Sequence, residues 1–331
     1  MDRRQKLSDG REMKVSRKKW AALAAGVVTL LVAFMLAKFV FPLEIAGWES
    51  RRSLKSAGVK EWQSAQTSEA ARLTGWEQNY CASSEGCECI ALVHGLGDDA
   101  LTWRKVLMRP ADKWFRHVHL IAVDLPGSGE TPRPIKNEDY RARTLGARVA
   151  DSLRGVSSCK SWTIVGNSFG GWVSSWAAIS WPEGIRKLVL VDSAGLKPAD
   201  GESTGAKLLS QPTEESLKEF QAKAYYSPRP LPEAVWKAAA KRAAHGNSRD
   251  VVAAQVPDDF LDTHASELRI PAILLWGAAD KIVSPERGRA LGALIKGAQF
   301  REAPKCGHMP QKECPEVLVG VIQEMLRFGA M

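Results

Sequence analysis

The chain alternates short, almost wholly apolar runs with longer segments of helical period. Residues 89–93, 119–123, 162–165, 187–191, 272–276 and 298–301 form the runs. Apolar side chains at consecutive positions suit strands covered on both faces, the condition of a parallel sheet. Segments of helical pattern lie between them, over 139–153, 172–178, 285–295 and 315–328. This alternation predicts an α/β fold with a mostly parallel central sheet flanked by helices. It breaks between Gly195 and Ile270, where no strand run occurs. Helical patterns over 214–226, 232–244 and 250–268 fill the gap. They predict a helical cap, 197–268, inserted into a core formed by 76–196 and 269–331.

One stretch fits neither pattern. Residues 20–37 carry no charge, Phe39, Val40 and Phe41 extend the run past Lys38, and Arg17-Lys18-Lys19 precede it. A run of this length crosses a bilayer with some tilt, and basic residues before it hold the N-terminus in the cytoplasm. A cleaved signal peptide has a shorter apolar region and small residues at its cleavage site. Bulky Phe39, Phe41 and Leu43 stand there instead. The expectation is a single-pass membrane protein: a basic cytoplasmic tail over 1–19, a transmembrane signal anchor over 20–41, and the remainder on the far side. A bacterial inner membrane with a periplasmic domain is the default. Residues 42–75, polar and helix-compatible over 49–64, read as a stalk.

Charge and cysteines narrow the partners. The formal charge of +9 over 331 residues is concentrated in 1–19, with eight basic and three acidic residues, while 39–331 hold 37 basic and 34 acidic. No broad basic face remains for phosphate, so nucleic acid is not an expected partner. Six cysteines in an exported chain permit disulfides. Cys87-Glu88-Cys89 lacks zinc spacing and no second pair supplies it, so no metal is expected.

The candidate chemistry begins at Gly166-Asn167-Ser168-Phe169-Gly170-Gly171, which follows one apolar run and opens a helical segment. That is a strand, a sharp turn and a helix, with glycines where strand and helix approach too closely for side chains. Ser168 at the apex is a candidate nucleophile. A serine hydroxyl needs a base, and the base an orienting acid. His308 follows the last run and Asp280 the one before it. Asp192, at the end of another run, is the rival for the acid. His117 and His119 enter a strand and read as structural; His245 and His264 fall in the cap and read as surface groups. The amides of Leu96, in His94-Gly95-Leu96-Gly97, and of Phe169 are the expected oxyanion donors. His94, Gly95, Gly166, Asn167 and Gly170 support the site. Ser128, in Asp124-Leu125-Pro126-Gly127-Ser128-Gly129, lacks the elbow spacing and reads as structural. A P-loop is excluded because no Lys-Ser/Thr follows those glycines.

Taken in order, 94–103, 124–131, 166–171, 192–195, 276–283 and 307–310 resemble the α/β-hydrolase fold family, in its lipase/esterase-like group with a helical cap. The resemblance implies a Ser168–Asp280–His308 triad, no cofactor, and an ester or related small, apolar substrate under the cap. Carbon–carbon bond hydrolases of this fold carry a similar Gly-Asn-Ser-x-Gly-Gly elbow and are the alternative. A non-catalytic binding protein of the same fold is the other, although no triad member is missing. An aspartate-nucleophile hydrolase is disfavoured by the serine at 168. The family's first two strands are not evident in 70–84. In this fold the strands beginning near Cys89 and Ser161 are neighbours, so Cys159 is expected to reach Cys87 or Cys89, with Cys81 taking the other. Cys306 and Cys314, eight apart, are expected to pair around His308.

Overall fold

The computed structural model describes residues 27, 40–65, 72–81, 87–109, 117–199 and 205–328. Its first element corrects the stalk expectation. Helix α1 (Pro42–Ser56) is followed at once by strand β1 (Lys60–Gln63) and then β2 (Thr74–Asn79). Leu54 of α1 is fully buried, and Trp62 and Trp76 turn their rings into the core. Residues 42–75 thus belong largely to the folded domain. The expected anchor, 20–41, lies outside the described residues except for Val27, Val40 and Phe41. Among the described residues no helix is long and apolar enough to cross a membrane.

The six apolar runs are all strands. In chain order the remaining elements are β3 (Glu88–Val93), α2 (Arg104–Leu107), β4 (Val118–Asp124), α3 (Ala142–Arg154), β5 (Trp162–Asn167), α4 (Phe169–Ser180) and β6 (Ile185–Val191). The insertion supplies α5 (Gly205–Ser210), α6 (Glu214–Ala224), α7 (Glu233–Ala244) and α8 (Ser248–Ala254). Then come β7 (Ala272–Gly277), α9 (Pro285–Leu294), β8 (Gln299–Ala303), α10 (Pro310–Glu313) and α11 (Pro315–Arg327). The strands form one sheet in the order β1-β2-β4-β3-β5-β6-β7-β8. β1 and β2 pair antiparallel at one edge, and every pairing from β4 to β8 is parallel.

Side chains alternate across this sheet. Ala91, Ile164, Leu190 and Leu274 face one core with α3, α4 and α9. Their neighbours Leu92, Val165, Val191 and Leu275 face the other, with α1, α2 and α11. Both faces are covered, which is why these strands are mostly apolar.

The insertion is helical, with one boundary corrected. The helix expected over 250–268 stops at Ala254, and short 3-10 turns at Pro257–Asp259 and Ala265–Glu267 carry the chain to β7. Pro257 disfavours helical backbone at Val256. Asp259 then turns inward, fully buried, and takes two hydrogen bonds from Arg141 at 2.7 and 2.8 Å.

All six cysteines pair. Cys306 joins Cys314 as expected, Cys159 takes Cys89 of its two candidates, and Cys81 takes Cys87. Their Cα separations of 5.6, 5.8 and 6.2 Å lie within the span that a disulfide bridges.

Candidate active site

The turn between β5 and α4 carries Ser168 in strained backbone, at φ 55° and ψ −122°. For a residue with a Cβ that conformation costs on the order of 1–3 kcal/mol and persists only where the surroundings fix it. Here they do. Ser168 N–H donates to Val191 O at 2.9 Å, and Ser168 O accepts from Gly171 N–H and Ala194 N–H. The two glycines around the serine are required by contact. A Cβ at Gly166 would lie 2.3 Å from Gly170 O, and one at Gly170 2.3 Å from both Val93 O and His94 O. Strand-to-helix approach therefore places the hydroxyl, half-buried, at the carboxyl edge of the sheet.

Asp280 and His308 meet there. Asp280 follows β7 and His308 follows β8, and both side chains are almost fully buried. His308 Nδ1 lies 2.7 Å from Asp280 Oδ2. Asp280 Oδ1 accepts from the amides of Ile282 and Val283 at 2.7 and 3.1 Å, which fixes the carboxylate's orientation. His308 N–H donates to Ala224 O, at the end of α6, and Phe220 of α6 stands edge-on to the imidazole. Ser168 and His308 open on one cavity of about 400 Å³. Among the described residues no hydrogen bond closes between them, and catalytic hydrogen bonds of this kind often tighten only in the Michaelis complex.

Gly95, Leu96 and Phe169 line the same cavity, and Gly95 packs against Ser168 and Asn167. His94 holds this loop in place. Its Nδ1 lies 2.8 Å from Gly95 O, and its Nε2 accepts from Leu125 N–H at 3.0 Å. Donor on one side and acceptor on the other require the neutral ring with its proton on Nδ1. Burial lowers the pKa of His94 in agreement. Asn167 ties elbow to histidine loop: its Nδ2 donates to Val191 O and His308 O, and its Oδ1 accepts from Gln311 at 3.0 Å.

The other candidates separate cleanly. His119 is buried against Glu77 at 2.9 Å, while His117 stands exposed just before β4. His245 is exposed, and His264 is half-buried against the Trp176 ring. Ser128 forms part of the turn after β4. Asp192 is fully buried beside Asp280, so both possible acids occupy one place. Two groupings have metal-like spacing among the described residues: Cys89, His119 and Cys159, whose sulfurs are joined to each other, and Asp192, Asp280 and His308.

Three residues in this network were not singled out in the sequence. Lys312 and Asp98 pair at 2.9 Å across the cavity wall, tying the His94–Asp99 loop to the histidine loop. Burial lowers the pKa of Lys312, but Asp98, with Tyr225 and Asp99 adding, offsets it and the net shift is upward. Glu313 accepts amides from Gly307, Tyr226 and Ser227, joining the histidine loop to the cap. Lys312 and Glu313 stand shortly after His308 in the chain, but Asp98 and the cap amides that they engage are remote from them.

The cavity is walled mainly by apolar side chains, among them Trp172, Leu209, Phe220, Phe260 and Ile282. Its size is that of a small-molecule site. With a pinned serine and a paired histidine opening on it, the arrangement suits nucleophilic attack on a carbonyl carbon.

Known proteins share this framework. A model of the alpha/beta hydrolase family matches residues 90–321. Lipase 3 of Moraxella sp. (strain TA144) is 29% identical over 236 residues, 68% of this chain and 73% of that protein. A 2-hydroxy-6-oxononadienedioate/2-hydroxy-6-oxononatrienedioate hydrolase of Burkholderia vietnamiensis (strain G4 / LMG 22486) is 29% identical over 266 residues, 75% of this chain and 90% of its own. Among solved structures, a membrane phospholipase A described as a novel bacterial virulence factor matches with a TM-score of 0.69 at 22% identity, over 92% of this chain and 98% of that one. At that identity the likeness is one of fold.

Proposed function

Because this chain belongs to the alpha/beta hydrolase family, we propose that it is a membrane-anchored serine hydrolase that cleaves apolar carboxylic esters. Ser168 Oγ attacks the ester carbonyl while His308 Nε2 takes its proton, and Asp280 stabilises the imidazolium through Nδ1–H. The amides of Leu96 and Phe169 receive the developing oxyanion. Collapse of the tetrahedral intermediate expels the alcohol, protonated by His308, and leaves an acyl-Ser168. Water, deprotonated by the same histidine, then releases the acid and regenerates the serine.

The observation that favours esters is the cavity's lining. Carbon–carbon hydrolases with similar sequences act, by their names, on dicarboxylates, which need cationic partners when buried. In this cavity Lys312 is engaged by Asp98, and Arg287 donates to the carbonyls of Leu196 and Lys197. A neutral, lipophilic acyl chain fits the remaining wall. The lipase relative is consistent with that choice.

The anchor rests on the chargeless run 20–37 and the basic cluster before it. Three disulfides favour an oxidising compartment for the domain. A panel of p-nitrophenyl esters of increasing acyl length, run beside a vinylogous diketone dicarboxylate, tests the substrate class. Turnover of the esters with little cleavage of the diketone is expected. The reverse preference would assign the chain to carbon–carbon hydrolysis.

A further inference from the structure

Two buried carboxyl groups stand behind His308, and the triad reading uses only one. Asp192 follows β6 with φ 46°, a left-handed conformation that Asp tolerates better than most residues. Its N–H donates to Leu275 O at 2.9 Å, and its Oδ1 accepts from Gly277 N–H at 2.7 Å. The side chain is completely buried. One donor or acceptor atom each from Asp192, Asp280 and His308 lie within 4.8 Å of one another. Titratable groups thus face Asp192 from the loop after β7, as Asp280, and from the loop after β8, as His308. Glu313 of α10 adds a further negative charge.

The hydrogen bonds around the two acids are unequal. Asp280 receives three N–H groups, from Ile282, Val283 and His308, and acts only as an acceptor. Asp192 Oδ2 is buried and has no partner among the described residues. An orphaned carboxylate oxygen beside a second carboxylate would be doubly unfavourable, through lost solvation and like charge. A hydrogen atom on that oxygen removes both penalties and provides a donor to Asp280.

We propose that Asp192 is a positioning residue held as the neutral acid, with its proton on Oδ2 directed at Asp280. The site's acid is then a carboxylic acid–carboxylate pair. Asp280 orients His308, and Asp192 holds Asp280 against the histidine and keeps the pair at a single negative charge. Burial, followed by the charge of Asp280, pushes the Asp192 carboxyl well above the usual carboxylate range, in agreement with the geometry. This inference rests on the triad reading above.

Three variants and one spectrum test it in the full-length chain. Asp192→Asn keeps an acceptor for Gly277 and an N–H donor for Asp280, and should retain kcat within about threefold. Asp192→Gly accepts the left-handed backbone without strain but removes the donor, and should lower kcat about tenfold or more with KM little changed. Asp280→Asn should cost about 10⁴-fold. At neutral pH the infrared difference between wild type and Asp192→Asn should show a protonated carboxyl stretch in the wild type that the variant lacks. Loss of activity in Asp192→Asn equal to that in Asp280→Asn would overturn the proposal. So would equal activity of the Asn and Gly variants, or absence of the carboxyl band. The band reports protonation independently of turnover, whereas an active Asp280→Asn enzyme would refute the triad reading and leave the band standing.

Discussion

His94 holds the loop that carries Leu96 from outside the cavity. It bridges Gly95 O and Leu125 N–H, and only the neutral ring can serve both. Replacing it with Ala frees the loop that carries Leu96. The expected outcome is a fall in kcat of about 10²-fold, the order seen on loss of one oxyanion donor, with the nucleophile intact. Labelling rates with a serine-reactive phosphonate, compared with ester turnover, check it. Asn167 makes a similar link to His308 O and Val191 O, so Asn167→Ala should lower kcat more than it raises KM. The glycines of the elbow were legible in the sequence because close backbone approach leaves no room for a Cβ, and they marked the turn that carries Ser168. Asp280 was separable from Asp192 only by strand order, since the two converge in space. Lys312 and Glu313 were illegible because their partners, Asp98 and the cap amides, are distant in the chain or lie on main-chain groups that carry no residue signal.

The strands differ in legibility for a physical reason. β3 to β7 are mostly buried on both faces and read as apolar runs. β1 and β2 lie at the antiparallel edge, where Trp62 is buried between exposed Glu61 and Gln63, and such one-sided strands resemble polar helix or loop. The missed arrest before Pro257 had its signal in the proline itself. Disulfides reinforce the elements they join. Cys89–Cys159 ties the starts of β3 and β5 across 70 residues, and loop-entropy arguments give it about 4 kcal/mol. Denaturant unfolding of a Cys89→Ser, Cys159→Ser pair should show a loss of that order. At the end of β4, Asp124 accepts from Ala100 N–H, and burial, with Asp99's charge adding, pushes its pKa from 3.8 up to about 7. A carboxyl with a raised folded-state pKa contributes stability fully present below 3.8 and lost as pH rises through about 7. Asp124→Asn should therefore remove that slope, and melting curves of both proteins across this window would reveal it. Parallel curves would place the proton elsewhere.

Taken whole, the molecule joins a near-neutral catalytic domain to a strongly basic N-terminus through a chargeless run. The domain begins at α1, directly after exposed Val40 and Phe41, so little chain separates it from the proposed anchor. The full chain should remain with membranes through alkaline carbonate extraction, and protease added from the far side should digest the domain while sparing an N-terminal tag. Release by carbonate would contradict the anchor. The enzymatic reading stands or falls on Ser168. In phosphonate labelling followed by peptide mass spectrometry, the account predicts one adduct, on the peptide bearing Ser168. The adduct should be absent from Ser168→Ala, strongly slowed in His308→Ala, and matched in Ser168→Ala by an ester kcat lower by about 10⁴-fold or more. An adduct on another serine, or turnover by Ser168→Ala within about tenfold of wild type, would contradict it.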